Sequence, residues 1–487
     1  MKEAREELDS TGQSRRRWMV TSAAVVAGSV TACGTSDSDG SANLSCFPGE
    51  TPPAELPSFD EPRCTDQIAS ATPAPDAERF AAWNASLKAD AAGRESSLVD
   101  LDAIDRNLKL VGDTLGSNIA LRLVAKSLPS VQLLEYMMLT ACTNRVMTFT
   151  EGMTRDLLCR FGGDVDILLG RPAAVDAAAR TFDTLDEHSP GEVNPSSTVR
   201  WLVDTEERMQ EYSALGSERG VTLRIAVEID VGLRRGGARN EDELLAMLDV
   251  IDRSASLELT ALMGYEGHVP FVPDGANPDR EFDSVQRRYA DFVSAGRDAY
   301  PAMFDAPLVS NSGGSRTYHY YTDQLDTPVN EVAMGSAFSY PRNFSNIPET
   351  GLRRATFLGT PVLKRTDPAE APFAPGFLPR LAEDDPAYEV QFIVIGGGFP
   401  AEQLHPEGLV HNPVTSSAGS DPDAVANLIS NQAEWLGARA TELAVGDLIF
   451  YHPWEGDGLS WLKRLDVFRG SELIDQWSTF QSGIRLA

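Results

Sequence analysis

The strongest constraint on the fold is a regular alternation of strand and helix patterns through the middle of the chain. Short runs rich in Val, Ile and Leu have the length and composition of parallel strands that are buried on both faces. There are eight such runs, at residues 119–126, 145–150, 165–170, 198–204, 222–230, 257–266, 307–311 and 329–335. Helical patterns lie between most of them, at residues 131–140, 173–185, 206–218, 241–253 and 282–299.

Eight strands with crossover helices predict an α/β fold, a closed (β/α)8 TIM-type barrel. The alternative is an open, doubly wound sheet. No Gly-x-Gly-x-x-Gly follows the first strand to support that alternative.

The sequence changes in character after Tyr340. Prolines, glycines and short apolar runs replace the alternation, with runs at residues 360–363, 388–395, 447–451 and 465–468. Residues 394–399 indicate a strand that leads into a tight turn. We therefore predict a barrel domain over residues 97–345, which opens with a helix from Leu101 to Thr114, and a β-rich C-terminal domain over residues 346–487.

The first 33 residues are predicted to be an export signal. Residues 14–19, Ser-Arg-Arg-Arg-Trp-Met, resemble a twin-arginine motif, and the apolar run that follows is too short to span a bilayer. Residues 30–33, Val-Thr-Ala-Cys, resemble a bacterial lipobox with Cys33 as the lipidated residue. We expect an exported periplasmic or cell-envelope lipoprotein of a bacterium, which contacts the membrane only through its lipid anchor. The alternatives are a plain amphipathic leader, or a cytoplasmic protein with a chance match.

Residues 34–96 are predicted to form a flexible tether and lead-in, because most of this stretch is rich in Ser, Asp, Gly, Thr and Pro. Cys46 and Cys64 flank a proline-rich segment and could pair after export. Cys142 and Cys159 lie in apolar helical patterns and are expected to be core residues. The net charge of −30 argues against a nucleic-acid partner, since phosphate binding requires a basic surface.

Lys126 ends the first predicted barrel strand, where the strand meets a loop. The chain has six lysines among 42 basic residues, and Lys126 is the only one between Arg122 and Arg353. A partly desolvated lysine can lose its proton and attack a carbonyl, whereas an arginine cannot. The alternative is a strand-end lysine that points to water.

Small residues follow the seventh and eighth predicted strands, at residues 310–315 (Ser-Asn-Ser-Gly-Gly-Ser) and 334–337 (Met-Gly-Ser-Ala). Loops at these two positions of a (β/α)8 barrel commonly bind phosphate through backbone N–H groups and hydroxyls. A cofactor that carries both a phosphate and an aldehyde would account for the loops and the lysine together. Pyridoxal 5′-phosphate has both groups.

Six segments, taken in order, carry a family resemblance: residues 98–104, 121–127, 227–236, 264–268, 311–314 and 330–336. They resemble the alanine-racemase-type (fold type III) pyridoxal-phosphate enzymes. Within that group they are most similar to the D-threonine aldolase and D-serine dehydratase branch, the amino acid deaminase/aldolase family. The resemblance extends over roughly residues 97–487 and implies pyridoxal 5′-phosphate as cofactor and a homodimer.

The resemblance also implies residue roles. Lys126 would carry the cofactor as a Schiff base and act as an acid/base, and His268 would lie over the cofactor or beside the substrate. Tyr451 could be a second acid/base that reaches the partner subunit's site. Arg235 would face the pyridine nitrogen, and Arg122 would meet the phenolate or the substrate. The expected cofactor-binding residues are Lys126, Arg122, Arg235, Tyr265, Asn311, Ser312, Gly313, Gly314, Gly335 and Ser336.

The chain departs from the family near its C-terminus. The family's metal-binding His-x-Cys or His-x-Asp is replaced by residues 450–457, Phe-Tyr-His-Pro-Trp-Glu-Gly-Asp. His452, Glu455 and Asp457 remain candidate ligands for a divalent metal, although a metal-free site is expected. The implied activity is that of a lyase acting on a small D-amino acid or β-hydroxy amino acid, by aldol cleavage or deamination. An amino acid racemase and an exported barrel that binds a ligand without turnover are the alternatives.

Overall fold

The computed structural model describes residue 56 and residues 64–68, 76–91, 93–188, 193–344, 351–372, 374–396, 399–414 and 431–480. The predicted export signal, with Cys33, and most of the predicted tether lie outside these residues. Within the described part of the chain, no helix is long and apolar enough to cross a membrane.

The described strands, in chain order, are β1 (Ser96–Asp100), β2 (Ala120–Val124), β3 (Arg145–Thr148), β4 (Asp166–Leu169), β5 (Val199–Val203), β6 (Leu223–Glu228), β7 (Leu257–Met263), β8 (Val309–Ser312), β9 (Glu331–Met334), β10 (Thr356–Thr366), β11 (Val390–Ile395), β12 (Ala401–His405), β13 (Val410–His411), β14 (Gln432–Gly437), β15 (Leu448–Pro453), β16 (Arg464–Arg469) and β17 (Glu472–Ser478).

The described α-helices are α1 (Asp76–Ala91), α2 (Leu101–Thr114), α3 (Val131–Ala141), α4 (Glu151–Phe161), α5 (Val175–His188), α6 (Pro195–Thr198), α7 (Glu206–Arg219), α8 (Glu241–Arg253), α9 (Pro278–Ala299), α10 (Pro301–Phe304), α11 (Ser336–Ser339) and α12 (Phe377–Asp384).

Strands β2 to β9 form a closed parallel barrel in sequence order, in which β2 pairs with both β3 and β9. The predicted barrel is confirmed, and each of its eight strands overlaps a predicted one. The first strand is shorter than predicted. It ends at Val124, and residues Ala125–Ser127 form a 3-10 turn that carries Lys126.

The second layer is a nine-stranded sheet in the order β13-β14-β11-β10-β1-β16-β17, with β15 paired to β10 and β12. This confirms the predicted β-rich second domain. The boundary at residue 97 does not coincide with the barrel, however, because β1 lies between β10 and β16 in this sheet. Part of the predicted lead-in also belongs to the second domain, since Phe80 and Trp83 of α1 are buried against its sheet.

A network of buried charges fills the amino-terminal half of the barrel interior. The Arg122 guanidinium, on β2, bonds both carboxylate oxygens of Glu331 at 2.6 and 2.9 Å and the Asp166 carboxylate at 2.9 Å. Asp166 begins β4 and Glu331 begins β9, so Arg122 faces the end of the barrel opposite the loops that follow the strands. Burial alone would raise the pKa of Asp166, but the neighbouring guanidinium groups of Arg122, Arg200 and Arg224 together outweigh it and lower that pKa to about 2.

A disulfide joins Cys64 to Cys142, whose Cα atoms are 5.4 Å apart. The expected pairing of Cys46 with Cys64 is therefore wrong, and Cys142 is not a free core thiol; Cys46 itself lies outside the described residues. Cys159 is likewise disulfide-bonded. The sequence could not give this pairing, because it depends on the 3-10 turn Thr65–Gln67 packing against Gly112 of α2, which brings Cys64 to the end of α3.

Candidate active site

Lys126 lies at the carboxyl end of β2, on the 3-10 turn Ala125–Ser127. Its Nζ atom is 5.2 Å from the ring centroid of Phe149, which follows β3. The amine forms no hydrogen bond or ion pair with another residue among those described. In a chain of net charge −30, a half-buried amine without a carboxylate partner is free to react with a carbonyl group.

The loops after β8 and β9 meet beside this turn. The backbone N–H groups of Gly335 and Ala337 donate to the Ser315 hydroxyl at 3.3 and 3.0 Å. We call Ser315, Gly335, Ser336 and Ala337 the cradle. A Cβ atom on Gly335 would lie 2.8 Å from the Val124 carbonyl oxygen, so this close approach to the lysine strand requires glycine. Sequence reasoning identified Gly335 and Ser336 but missed Ser315, the last residue of the Ser-Asn-Ser-Gly-Gly-Ser run.

The second domain contributes to the same place. The Ser127 hydroxyl donates to the Asp457 carboxylate at 3.1 Å and lies 3.1 Å from the Ser336 hydroxyl. A Cβ atom on Gly456 would meet the Ser336 hydroxyl at 2.8 Å. The 3-10 helix Gly456–Trp461 therefore packs directly on the lysine turn and the cradle. This contact could not be predicted from the sequence, because it joins residues more than 300 positions apart.

Two residues that were predicted to bind phosphate, Ser312 and Gly313, instead donate hydrogen bonds to a carboxylate. The Ser312 hydroxyl and the Gly313 backbone N–H both donate to the carboxylate of Glu266, at 2.7 and 2.9 Å. Glu266 follows β7 and is completely buried. The Gly314 N–H donates to the Thr317 hydroxyl at 3.1 Å. The expectation that Ser312 and Gly313 bind phosphate is thus not supported, because their donors bond a buried carboxylate, whose charge would repel a phosphate.

The predicted roles of Arg122 and Asn311 in cofactor binding are also not supported by the structure. All the hydrogen bonds of the Arg122 guanidinium go to β3, β4 and β9, at the amino end of the barrel. The Asn311 amide donates to Glu331 in the same network at 2.9 Å. The four-residue spacing of Arg122 and Lys126 misled the prediction, because β2 ends before Lys126 and strand periodicity does not extend to it.

Two other predicted residues share the rim of the barrel. The Arg235 guanidinium carbon lies 5.5 Å from the ring centroid of Tyr265, and both side chains are exposed. A Cβ atom on Gly314 would lie 3.0 Å from the Tyr265 ring, which places this pair next to the loop that leads into the cradle. Arg235 has no hydrogen bond or salt bridge to a described residue, so its guanidinium is available to a ligand.

His268 is on the same rim, but its side chain faces helix α9. Its Nε2 atom lies 3.1 Å from the Glu281 carboxylate of α9. Its Nδ1 atom is buried and has no hydrogen-bond partner among the residues that the structure describes. The structure therefore does not join His268 to Lys126 or to the cradle.

Tyr451 does not reach a surface from which it could serve a partner subunit. It packs in the hydrophobic core of the second sheet, where its hydroxyl accepts a hydrogen bond from Trp435 Nε1 at 2.8 Å. Burial raises the pKa of Tyr451 to about 12. The prediction that Tyr451 is a second acid/base is thus at odds with its position, because alternation along β15 turned the side chain inward.

The three metal candidates do not converge. The His452 Nε2 atom is 2.8 Å from the Tyr340 carbonyl oxygen, Asp457 accepts from Ser127, and Glu455 is exposed. Among the described residues there is no group of three or more His, Cys, Asp or Glu side chains placed to hold a metal ion.

The buried imidazole of His452 should make the free energy of unfolding depend on pH. Burial lowers its pKa from 6.5 to about 4. As the pH falls through this range, the unfolded chain takes up a proton that the folded chain does not. The imidazole alone should therefore reduce the free energy of unfolding by about 3 kcal/mol.

Urea unfolding of the wild type and His452→Gln between about pH 7 and about pH 4 isolates this contribution, since the carboxylates are common to both. The stability of the wild type relative to the variant should fall by that amount. Parallel pH profiles for the two proteins would show that His452 titrates normally.

The residues present fit a ligand with a phosphate and a carbonyl group. The amine of Lys126 has no partner among the described residues, and two backbone N–H groups of the cradle converge on the neutral Ser315 hydroxyl, which a phosphate oxygen would replace as their acceptor. Gly335 admits no side chain. Lys126, Ser315, Gly335 and Ala337 would hold pyridoxal 5′-phosphate here, with Arg235 available to its ring.

Three comparisons relate this arrangement to known proteins. Residues 99–340 match the family model of the alanine racemase N-terminal domain. A search of curated proteins found no significant match.

Among solved structures, the chain is similar to D-threonine aldolase from Filomicrobium marinum, with 16% identity and a TM-score of 0.57 over 80% of this chain and 94% of that one. It is similar to D-threo-3-hydroxyaspartate dehydratase from Delftia sp. HT23, with 16% identity and a TM-score of 0.57 over 80% and 98% of the two chains. It is also similar to alanine racemase from Bacillus anthracis, with 14% identity and a TM-score of 0.57 over 79% and 98%. At these identities the structural similarity establishes a shared fold and nothing finer.

Proposed function

The barrel of this chain belongs to the alanine racemase N-terminal domain family, and from that premise we propose that the protein is a pyridoxal-phosphate-dependent lyase. Its substrate would be a D-amino acid or a β-hydroxy amino acid, cleaved by an aldolase or a deaminase reaction. D-threonine aldolase and D-threo-3-hydroxyaspartate dehydratase, two of its structural neighbours, carry these activities in their names.

The observation that carries the proposal is the uncommitted amine of Lys126 next to the cradle. Bound pyridoxal phosphate supplies an electron sink for the substrate carbon beside the nitrogen. The chain's own residues would do the rest. Lys126 would bind the aldehyde and later move a proton at the substrate carbon, while the N–H groups of Gly335 and Ala337 would fix the phosphate. Phe149 would cover one side of the amine and limit its access to water.

A lyase is favoured over a racemase by the position of Tyr451. A racemase requires acid/base groups on both faces of the substrate carbon, whereas cleavage requires only one. Tyr451 was the candidate for the second group. It is buried in the second sheet with a raised pKa, which argues against proton transfer at neutral pH.

The test is an activity screen of the full chain loaded with pyridoxal phosphate. D-threonine should yield glycine and acetaldehyde, or D-serine should yield pyruvate and ammonia, while D- and L-alanine should not interconvert. Interconversion of the alanine enantiomers would make the protein a racemase. A protein that binds the cofactor but converts none of these or related 3-hydroxy amino acids would be a binding protein.

We also propose that the protein is exported as a lipoprotein anchored at Cys33 and that it acts as a homodimer. The twin-arginine and lipobox motifs support export. The disulfide between Cys64 and Cys142 is consistent with it, since disulfides persist in oxidising compartments. Fractionation of cells that express the full chain tests the location, and recovery of the protein only in the soluble cytoplasm would contradict it.

A further inference from the structure

Glu266 is a buried carboxylate without a cationic partner. Its side chain is completely buried, and it forms no salt bridge with a described residue. Burying a carboxylate in this way is costly unless hydrogen-bond donors compensate it. The hydrogen-bond donors around the Glu266 carboxylate therefore explain how it can be buried after β7.

Four donors surround the two oxygens of Glu266. One oxygen accepts from the hydroxyls of Thr317 and Tyr321 at 2.7 and 3.1 Å. The other accepts from the Ser312 hydroxyl and the Gly313 backbone N–H at 2.7 and 2.9 Å. All four lie on one segment, residues 312–321, which begins at the last residue of β8. Glu266 thus holds both ends of this segment to the end of β7.

The residue that this segment presents is Ser315. Its hydroxyl accepts hydrogen bonds from the N–H groups of Gly335 and Ala337, the donors that we assign to the phosphate. The backbone before it is also constrained: Gly313 has a φ of +76°, and a Cβ atom there would lie 2.7 Å from Val332. With its two ends held by Glu266, the segment places Ser315 opposite the loop after β9.

We propose that Glu266 is a positioning residue for the phosphate site: it fixes residues 312–321 and so sets the geometry of the cradle, without contacting the cofactor. This inference rests on the proposed function, because it assumes that the cradle holds the phosphate of pyridoxal phosphate. It also explains why Ser312 and Gly313, although in a phosphate-loop position, serve the carboxylate instead.

Glu266→Gln tests the proposal. Glutamine has the same size but replaces one acceptor oxygen by an amide donor, which would face two other donors. The informative quantity is the ratio of the dissociation constants for pyridoxal phosphate and for pyridoxal, which has the same ring and aldehyde but no phosphate. The variant should weaken the binding of pyridoxal phosphate by about tenfold or more, while the binding of pyridoxal changes far less.

Two milder variants keep the test decisive if Glu266→Gln does not fold. Thr317→Val and Tyr321→Phe each remove one donor at nearly constant shape, and each should shift the ratio in the same direction by a smaller factor. Thr154→Val is the matched control. It removes a buried hydroxyl that lies 2.7 Å from the Thr148 hydroxyl and forms no hydrogen bond with Glu266 or with the described residues 312–321, so it should leave the ratio unchanged.

The outcomes separate this inference from the proposed function. If the wild type binds neither ligand, the proposed function fails and the inference fails with it. If the wild type binds both but the folded variants keep the wild-type ratio, or weaken both ligands equally, only the role of Glu266 is overturned. A phosphate-specific loss in the variants and not in Thr154→Val establishes it.

Discussion

Lys126→Ala should reduce turnover by about 10³-fold or more and should replace the imine absorbance band of the protein loaded with pyridoxal phosphate by that of the free aldehyde. Alanine removes the amine to which the aldehyde is attached and the group that moves the substrate proton. The cradle does not depend on the lysine side chain, so the variant should still bind the cofactor non-covalently. Absorbance spectra and rates with the active substrate measure the two effects separately.

Lys364→Ala is the matched control for this prediction. Lys364 is exposed on β10 in the second domain, so its replacement should leave both the spectrum and the rate unchanged. If Lys126→Ala kept the absorbance band and the activity while remaining folded, the amine would have to come from another residue, and the assignment of Lys126 would be wrong.

Arg122→Met should lower the free energy of unfolding by about 3–5 kcal/mol. Arg122 is completely buried and is shared by Glu331 and Asp166. Without it, the half-buried Arg145, at 2.9 Å, is the one cationic partner that Glu331 keeps within the described part of the chain. The loss is large because a buried carboxylate is left poorly compensated, which costs more than the ion pair itself contributes. Urea unfolding followed by fluorescence and circular dichroism measures the change.

Arg253→Met provides the comparison at the surface. Arg253 pairs with Asp249 one turn earlier on α8, and the arginine is 67% exposed. Ion pairs of this kind contribute only about 0.3–0.5 kcal/mol. An Arg122→Met variant as stable as Arg253→Met would show that the network in the barrel is not needed for stability. Loss of cofactor binding by a fully stable Arg122→Met would instead restore the cofactor-binding role that the family resemblance implies.

The barrel could be predicted because its strands are buried on both faces. Such strands appear as continuous apolar runs, and the helices between them are amphipathic over ten or more residues. Helix α8 was predicted with its observed ends; in the structure Asn240 caps its start and Arg253 lies in its last turn. The position of Lys126 at the end of the first strand followed from the same pattern.

The parts that could not be predicted depend on contacts between distant residues. Strand β1 is only five residues long, and nothing in its sequence says that it pairs with β10 and β16 rather than with the barrel. The Gly-Gly loop has the same composition whether its donors meet a phosphate or the carboxylate of Glu266. The inward orientation of Tyr451 likewise depends on which face of the second sheet is covered.

Borohydride reduction of the protein loaded with pyridoxal phosphate, followed by proteolysis and mass spectrometry, tests the central claim most directly. We predict a single modified peptide, the one that contains Lys126, with the mass of the reduced cofactor on that lysine. A label on any other lysine, or no label although the cofactor is bound, would contradict the account.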